Sequence, residues 1–248
     1  TGTLPDGAKI EGMNGNKPAV ILTNDSGSAT ASTCSGALTL ENVGNVKITG
    51  TVKGKLTVGT EAEYISGGVT VNGQLLGGTE INCTGDVKAT CDSNYDGVLK
   101  TIDHLHPDII RCSGEVYLEN SGTSYTTGSL TVSGATDVTV VANGPTHAAV
   151  SGTADITCSG TVRLTTPGES AIATGNTLTY APTQGGYYTV QLDDQEPTTR
   201  TGTFEEKEGE LLNGVKTIII TPTSAPAPDP EPTKYPLTLS GCHVTALN

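Results

Sequence analysis

Short runs of alternating apolar and polar residues occur along most of the chain. Typical examples are Leu38-Thr39-Leu40, Val69-Thr70-Val71 and Val138-Thr139-Val140, and Gly, Asn and Ser separate such runs. Because successive side chains of a strand point to opposite faces, this pattern predicts short, half-buried β-strands. No long window carries apolar residues at helical spacing, so we predict an all-β protein.

A second pattern punctuates these runs: an apolar residue or Cys, then Ser or Thr, then Gly. Most occurrences follow one another at a spacing in the high teens. Strands of three to five residues cannot bury an apolar face individually, whereas stacked repeats share one continuous core. The spacing therefore predicts a right-handed parallel β-helix, a solenoid, over residues 34–182. The residues at the first position of the pattern are Cys34, Ile48, Ile65, Cys83, Cys112, Val132, Val150 and Cys158.

A β-sandwich is the alternative architecture. It predicts longer strands, hairpin turns and large aromatic residues in the core. The chain has one Phe and no Trp, so its core must be filled mainly by Val, Ile, Leu, Ala and Cys. Small residues of this kind suit the narrow interior of a β-helix better.

The corner pattern and the V-T-V runs between Cys34 and Pro182 resemble those of pectin-lyase-like β-helices, in particular the surface proteins among them that bacteria secrete. The resemblance implies an extracellular solenoid. It does not point to one activity, because relatives of this kind include both enzymes and adhesins.

The chain outside the solenoid divides into four parts. Residues 1–33 are expected to form an N-terminal cap, and residues 183–223 a small antiparallel β unit. Residues 224–234 are rich in Pro and predict a stiff linker. Residues 235–248 repeat the corner pattern at Leu239-Ser240-Gly241, which predicts a terminal strand or the start of a further module.

Charge narrows the range of partners. The net charge is −13, which argues against nucleic acid and anionic membrane surfaces, because both require a basic footprint. No apolar stretch approaches the length of a membrane span, so we expect no membrane insertion. Few Lys, many Thr, Ser, Asn and Gly, and a Pro-rich segment favour a secreted or cell-surface bacterial protein, which we expect to be monomeric.

One segment interrupts the repeat and resembles a calcium loop. Asp92, Asn94 and Asp96 occupy alternate positions, and Gly97 follows them. Asp103 is the twelfth residue of the segment counted from Asp92, an arrangement that resembles EF-hands and, more closely, dockerin modules. The resemblance implies that these four oxygen-bearing side chains and the Val98 carbonyl bind calcium. Dockerins pair two such loops, whereas this chain has one. The other interpretation is a polar excursion that uses Asn and Asp as turn formers.

The cysteines have two interpretations. Ile and Val replace Cys at the first position of the corner pattern, which favours buried free thiols acting as small apolar residues. A secreted chain also invites disulfides. If one exists, we expect it to join Cys91 to Cys112 or Cys83 to Cys91. The chain has no Cys-x-x-Cys, so zinc is not expected.

Three functions fit the sequence. The first is a non-enzymatic adhesin or glycan-binding surface protein whose partner is an extracellular glycan or a cell-surface or host protein, with Tyr64, Tyr117 and Tyr125 as candidate ligand-binding residues. The second, by fold analogy alone, is a lyase or hydrolase acting on acidic polysaccharide, with Arg111 as the candidate catalytic residue. The third is a structural stalk.

The calcium hypothesis predicts that the metal stabilises the fold. Binding to the folded chain alone raises the midpoint of thermal unfolding by mass action. We expect the midpoint to rise in calcium and fall with a chelator, and Asp96→Ala to abolish the difference. An unchanged midpoint, together with no heat of binding in titration calorimetry, would rule the site out.

Overall fold

The computed structural model describes residues 1–91, 97–99, 108–207 and 211–225. Within these residues the chain forms β-strands and no helix, which confirms the prediction of an all-β protein. In chain order the strands are Ala8–Glu11 (β1), Val20–Thr23 (β2), Ser32–Cys34 (β3), Leu38–Glu41 (β4), Val46–Thr49 (β5), Thr51–Val52 (β6), Leu56–Val58 (β7), Val69–Asn72 (β8), Thr79–Asn82 (β9), Val87–Cys91 (β10), Asp108–Arg111 (β11), Val116–Asn120 (β12), Leu130–Ala135 (β13), Val138–Ala142 (β14), Ala154–Cys158 (β15), Val162–Thr165 (β16), Thr177–Pro182 (β17), Tyr187–Leu192 (β18), Thr198–Thr201 (β19), Phe204–Lys207 (β20) and Thr217–Thr223 (β21).

The strands form two long sheets that are parallel over most of their extent. The first sheet has nine strands in the order β1-β4-β7-β9-β11-β13-β15-β17-β20. The second sheet has ten, in the order β19-β18-β21-β16-β14-β12-β10-β8-β5-β2. Strands β3 and β6 also pair in parallel, and isolated parallel bridges extend this pair into a third ladder, through Leu75, Leu99, Thr127, Val150 and Ile172. From β1 onward the chain visits the first sheet, the second sheet and the third ladder in turn, and one such circuit is a repeat.

The repeat is longer than the corner pattern predicted. Residues in register along the first sheet, from Lys9 to Thr179, are separated by 30, 18, 23, 29, 22, 24 and 24 residues. The predicted period in the high teens is therefore wrong. The corner pattern occurs after different ladders: Ile48 lies in the second sheet, Val150 in the third ladder and Cys158 in the first sheet. Two occurrences of the pattern that follow different ladders are not one whole repeat apart in the sequence. Their spacing therefore does not give the length of the repeat.

The core lies between the ladders and is built from alternate residues of each strand. Leu38 and Leu40 of β4, like Val138 and Val140 of β14, are fully buried, while the residues between them face outward. Three larger side chains, Tyr180, Tyr188 and Phe204, are also buried, so aromatic residues contribute more to the core than the sequence suggested. They gather at the C-terminal end, where the Tyr180 and Tyr188 rings meet edge to face at 5.1 Å.

Both ends of the chain join the sheets. Residues 1–33, the predicted cap, contain β1, β2 and most of β3, which pair in parallel with the next repeat. Within residues 183–223, strands β18 to β21 are antiparallel and continue the two sheets from β16 and β17. Apart from Ser224 and Ala225, the predicted linker and the predicted terminal strand lie outside the described residues.

Side-chain hydrogen bonds at the corners join successive repeats. Asp86 Oδ1 accepts a bond from the Glu115 backbone N–H at 2.9 Å, and Asp137 Oδ1 accepts one from Thr161 at 2.6 Å. The same contact recurs at three other corners. There the side-chain oxygens of Asp6, Asn45 and Ser129 accept the backbone N–H groups of Ala37, Gly68 and Thr153, respectively. In each case the residue before the donor is Gly.

The space around these glycines explains why the pattern requires them. A Cβ at Gly114 would overlap Asp86 Oδ1 and would lie 2.7 Å from the Asp86 backbone nitrogen. A Cβ at Gly160 would overlap the Thr136 carbonyl oxygen. The Gly of the Ser/Thr-Gly corner therefore leaves room for the side chain or backbone of the preceding repeat.

We expect Gly114→Ala to destabilise the fold. The added methyl group must displace Asp86 or its backbone, and overpacking of this kind costs about 1–3 kcal/mol of unfolding free energy. Urea unfolding followed by circular dichroism measures the change.

Ser113→Ala is the matched control, because Ser113 is the exposed neighbour of Gly114. Its unfolding free energy should stay within about 0.5 kcal/mol of the parent. Equal stabilities for Gly114→Ala and the parent chain would contradict this account of the corner.

Candidate functional site

The outer face of the second sheet carries an ordered row of polar side chains. Parallel pairing places one residue from each of six consecutive strands in register, so that their side chains stack along the sheet. Three members are cationic and one is aromatic. This row, here the basic column, consists of Lys47, Thr70, Lys88, Tyr117, Thr139 and Arg163.

Strand alternation makes these side chains face outward. Val46 and Ile48 on either side of Lys47 are buried, as are Val162 and Leu164 on either side of Arg163. Since neighbouring residues of a strand point to opposite faces, burial of the apolar pair directs the cation to solvent. The sequence signal for these cations is an apolar-cation-apolar triplet, and none of Lys47, Lys88 and Arg163 is among the candidate residues predicted from the sequence.

The cations are spaced along the column by the distance between strands. Neighbouring strands lie ~4.8 Å apart, so Lys47 and Lys88, two strands apart, are separated by ~10 Å at the backbone. Lys88 and Arg163, three strands apart, are separated by ~14 Å. The column thus presents positive charge over a length of ~24 Å.

Tyr117 lies in the middle of the column and is held by polar contacts. The Lys88 ammonium lies 5.4 Å from the centre of its ring, within the range of a cation–π interaction. The Tyr117 hydroxyl donates a hydrogen bond to Glu119 Oε2 at 2.7 Å, and this bond raises the pKa of Tyr117. The ring is therefore oriented before any ligand arrives.

The cations of the first sheet are neutralised, unlike those of the column. Lys9 pairs with Glu41 at 2.8 Å, and Lys55 pairs with Glu80 at 2.8 Å. Considering only the described residues, Lys47, Lys88 and Arg163 make no ion pair with a carboxylate. All three side chains are exposed.

Acidic residues lie on both sides of the column. Glu119 accepts the bond from Tyr117, and its other carboxylate oxygen accepts one from Asn143 at 3.1 Å. Asp86 and Asp137, at the preceding corner, accept backbone bonds from the next repeat. These carboxylates have hydrogen-bonding partners within the protein, and they limit the column to a narrow positive strip on an acidic molecule.

Two grooves lie along the column. One, of about 500 Å³, is lined by Lys47, Thr70 and Asp86 together with the exposed Ile21. The other, of about 480 Å³, is lined by Arg163, Gln191 and Lys216 among others. The column therefore runs from one groove to the other.

Arg111, the candidate lyase residue, belongs to the first sheet. Its Nη1 donates a hydrogen bond to Asn82 Oδ1 at 3.2 Å and lies 3.5 Å from Glu80 Oε1. The hydrogen bond from Lys55 is the main cause of a lowered pKa for Glu80, and Arg111 adds to it. The structure thus places Arg111 in a compensated ion-pair cluster, on a different sheet from the basic column.

The three candidate tyrosines do not form one platform. Tyr117 lies in the basic column, whereas Tyr64 precedes Ile65 at a corner that follows the first sheet. Tyr125 lies between the second sheet and the third ladder, where its carbonyl accepts a hydrogen bond from Asn120 at 2.9 Å. Tyr64 and Tyr125 are half-buried and contribute no ring to the column.

Of the predicted calcium loop, the described residues include only Gly97, Val98 and Leu99. Asp92, Asn94, Asp96 and Asp103 lie outside the described residues. Val98 is buried, and its carbonyl accepts the Leu75 N–H at 2.8 Å in the third ladder. A carbonyl has a second lone pair, so calcium binding here stays a prediction. In the described part of the chain, no cluster of three His, Cys, Asp or Glu side chains could hold a metal.

The cysteines of the corner pattern are buried free thiols. Cys34, Cys83, Cys112 and Cys158 are each at most 2% exposed and unpaired, so neither disulfide considered from the sequence is present. The thiols of Cys83, Cys112 and Cys158 each lie 3.4–3.5 Å from the carbonyl oxygen of the Gly two residues on. These weak hydrogen bonds fold the corner locally.

Comparisons of the chain with protein-family models, curated protein sequences and solved structures found no match. In the described ranges there is also no helix with the length and apolar character of a membrane span.

Burial of the thiols predicts a loss of stability in alkali. Burial raises the pKa of Cys83 to about 12 and that of Cys112 to about 11. The unfolded chain releases the same thiol protons at a lower pH, about 8.5. The folded state therefore keeps its full stability below about pH 8.5 and loses stability as the pH rises toward the pKa values of the folded thiols. We expect the unfolding free energy to fall by at least about 1 kcal/mol between pH 8.5 and pH 11.

Urea unfolding at a series of pH values measures this decline. Cys83→Val should make the decline shallower, because it removes one buried thiol that loses its proton. The variant should still fold, since other repeats carry Val or Ile at similar corners. A decline of unchanged slope in that variant would show that other groups cause it.

Proposed function

We propose that this chain is a non-enzymatic extracellular protein that binds extended acidic polysaccharide along the basic column. The observation that carries the proposal is the in-register row of Lys47, Lys88 and Arg163, which make no ion pair with any described residue, around the oriented ring of Tyr117. The scaffold is proposed to be a right-handed parallel β-helix.

The order of the ladders supports this scaffold. The chain enters the first sheet, the second sheet and the third ladder repeatedly in the same order, and neighbouring repeats pair in parallel. In a β-helix each repeat is one coil that stacks on the last, and parallel crossovers between L-residues are right-handed. Such a scaffold presents long, straight rows of side chains on its faces.

The chemistry of the column favours a polyanion with sugar rings. Ammonium and guanidinium groups bind carboxylates, and the guanidinium can do so through two hydrogen bonds. A tyrosine face packs against the apolar side of a sugar ring while its hydroxyl stays hydrated. The separated cations suit a repeating acidic chain better than a compact ligand, because the charge extends over ~24 Å.

An extracellular location is part of the same proposal. It rests on the composition, which is poor in Lys and rich in Thr, Ser, Asn and Gly. The ligand would then be a polymer of a cell surface or matrix, which suits the adhesive role considered from the sequence.

We expect the full chain to bind polygalacturonate with an affinity that falls as salt is added, because exposed charges are screened. Lys88→Ala and Arg163→Ala should each weaken binding about threefold to tenfold. Biolayer interferometry on immobilised polysaccharide measures the affinities.

Lys53→Ala is the matched control, because Lys53 is an exposed lysine outside the column. It should bind within about twofold of the parent. Tyr117→Phe should retain most binding and Tyr117→Ala should not. Equal losses of affinity in the column and control variants would refute a site on this face. Absorbance from unsaturated products of polygalacturonate would identify a lyase instead.

A further inference from the structure

The two ends of the molecule differ in how well they cover the core. At the N-terminal end, Leu4, Ala8, Ile10 and Leu22 face inward but are only partly buried. Their register partners in the next repeat are almost completely buried: Cys34, Leu38, Leu40 and Ile48. The first repeat therefore leaves the end of the apolar core incompletely covered.

The C-terminal end is closed by contrast. Strand β20 pairs antiparallel with β17, and β21 pairs antiparallel with β16. Tyr180 of β17, Tyr188 of β18 and Phe204 of β20 are each at most 2% exposed. Among the described residues at this end, Tyr187 and Leu211 are 37% and 42% exposed, but the inward-facing side chains of the last strands are buried.

Unpaired strand edges accompany the incompletely covered end. Strands β1 and β2 are the edges of the two sheets at this end, as β20 and β19 are at the other. Ile21 of β2 and Met13 in the connection between them are 72% and 73% exposed. Exposed edges with apolar neighbours are sites where another strand can add.

The chain contains a segment with the sequence of a matching strand. Leu237-Thr238-Leu239-Ser240-Gly241 differs at one position from Leu130-Thr131-Val132-Ser133-Gly134, which forms most of β13. The runs in β4 and β7, Leu-Thr-Leu and Leu-Thr-Val, have the same pattern. All three strands belong to the first sheet, whose two edges are the parallel strand β1 and, at the C-terminal end, the antiparallel strand β20. The segment lies outside the described residues.

The length of the connection favours a second molecule over the same one. Strand β21, where the connection begins, is seven strand spacings from β2 in the second sheet, and a strand added beyond β1 would lie one spacing further, at ~38 Å. Residues 224–236 connect β21 to the segment, and at the ~3.1 Å per residue of a polyproline helix they extend ~40 Å. Reaching the molecule's own β1 would need the whole connection fully extended along the sheet, whereas a neighbour's β1 imposes no such requirement.

We propose that residues 237–241 of one molecule add as a parallel strand to the β1 edge of a second copy. Leu237 and Leu239 would cover the partly exposed Ala8 and Ile10, while Thr238 and Ser240 would face solvent. Because the connection leaves from β21 near the C-terminal end and the acceptor edge is at the N-terminal end, the contact would be heterologous and would join molecules head to tail. This departs from the monomer expected from the sequence.

Sedimentation velocity of the full chain over a range of concentrations tests the proposal. The parent should form dimers and longer assemblies as concentration rises. Leu237→Asp/Leu239→Asp should weaken self-association by about tenfold or more, because it buries two carboxylates without partners. Thr238→Asp/Ser240→Asp is the matched control: it adds the same charge on the outward face of the strand and should still assemble.

Two further measurements identify the acceptor. A synthetic peptide of residues 234–248 should dissociate assemblies of the parent chain, and a scrambled peptide should not. Ile10→Asp in β1 should weaken assembly as the leucine variant does. A parent chain that stays monomeric at every concentration overturns the proposal. A second outcome also overturns it: a parent chain that is monomeric and whose unfolding free energy falls in the Leu237→Asp/Leu239→Asp variant. The segment would then dock on its own molecule.

Discussion

Successive repeats are held in register by a contact that leaves no room for a side chain at the corner. An Asp, Asn or Ser of one repeat accepts the backbone N–H of the next, and the residue before that N–H is Gly. Backbone hydrogen bonds along the ladders set the spacing between strands, while these corner bonds set which residues oppose one another. Since a register shift of one residue would turn apolar side chains outward, the corners protect the core.

The same register produces the candidate site. Lys47, Lys88 and Arg163 are far apart in sequence, yet they form one row because each follows an inward-facing valine that pairs with the valine of the neighbouring strand. The cations of the first sheet, Lys9, Lys55 and Arg111, occupy different register positions and lie beside carboxylates. The difference between the faces therefore lies in which charges the register brings together, and on the second sheet it leaves Lys47, Lys88 and Arg163 without an ion pair to any described carboxylate.

The scaffold also makes the two ends unequal, with consequences beyond a single molecule. Antiparallel strands and buried aromatic rings finish the core at one end, and the parallel first repeat leaves it partly uncovered at the other. The head-to-tail assembly proposed above would bring the basic columns of several molecules into one assembly. An extended polymer could then contact more than one column, and binding would gain from multivalency.

Much of the local structure was predictable, but the arrangement of the site was not. Alternation in runs such as Leu38-Thr39-Leu40 determined strands and their buried faces, because side-chain direction in a strand depends only on neighbouring residues. The exchange of Cys with Ile and Val likewise determined that Cys83 and Cys112 are buried. The repeat length and the basic column depended on tertiary structure. Corner loops can vary in length at little entropic cost, so repeats of 18 to 30 residues carry no fixed period, and only strand pairing decides that Tyr117 lies beside Lys88.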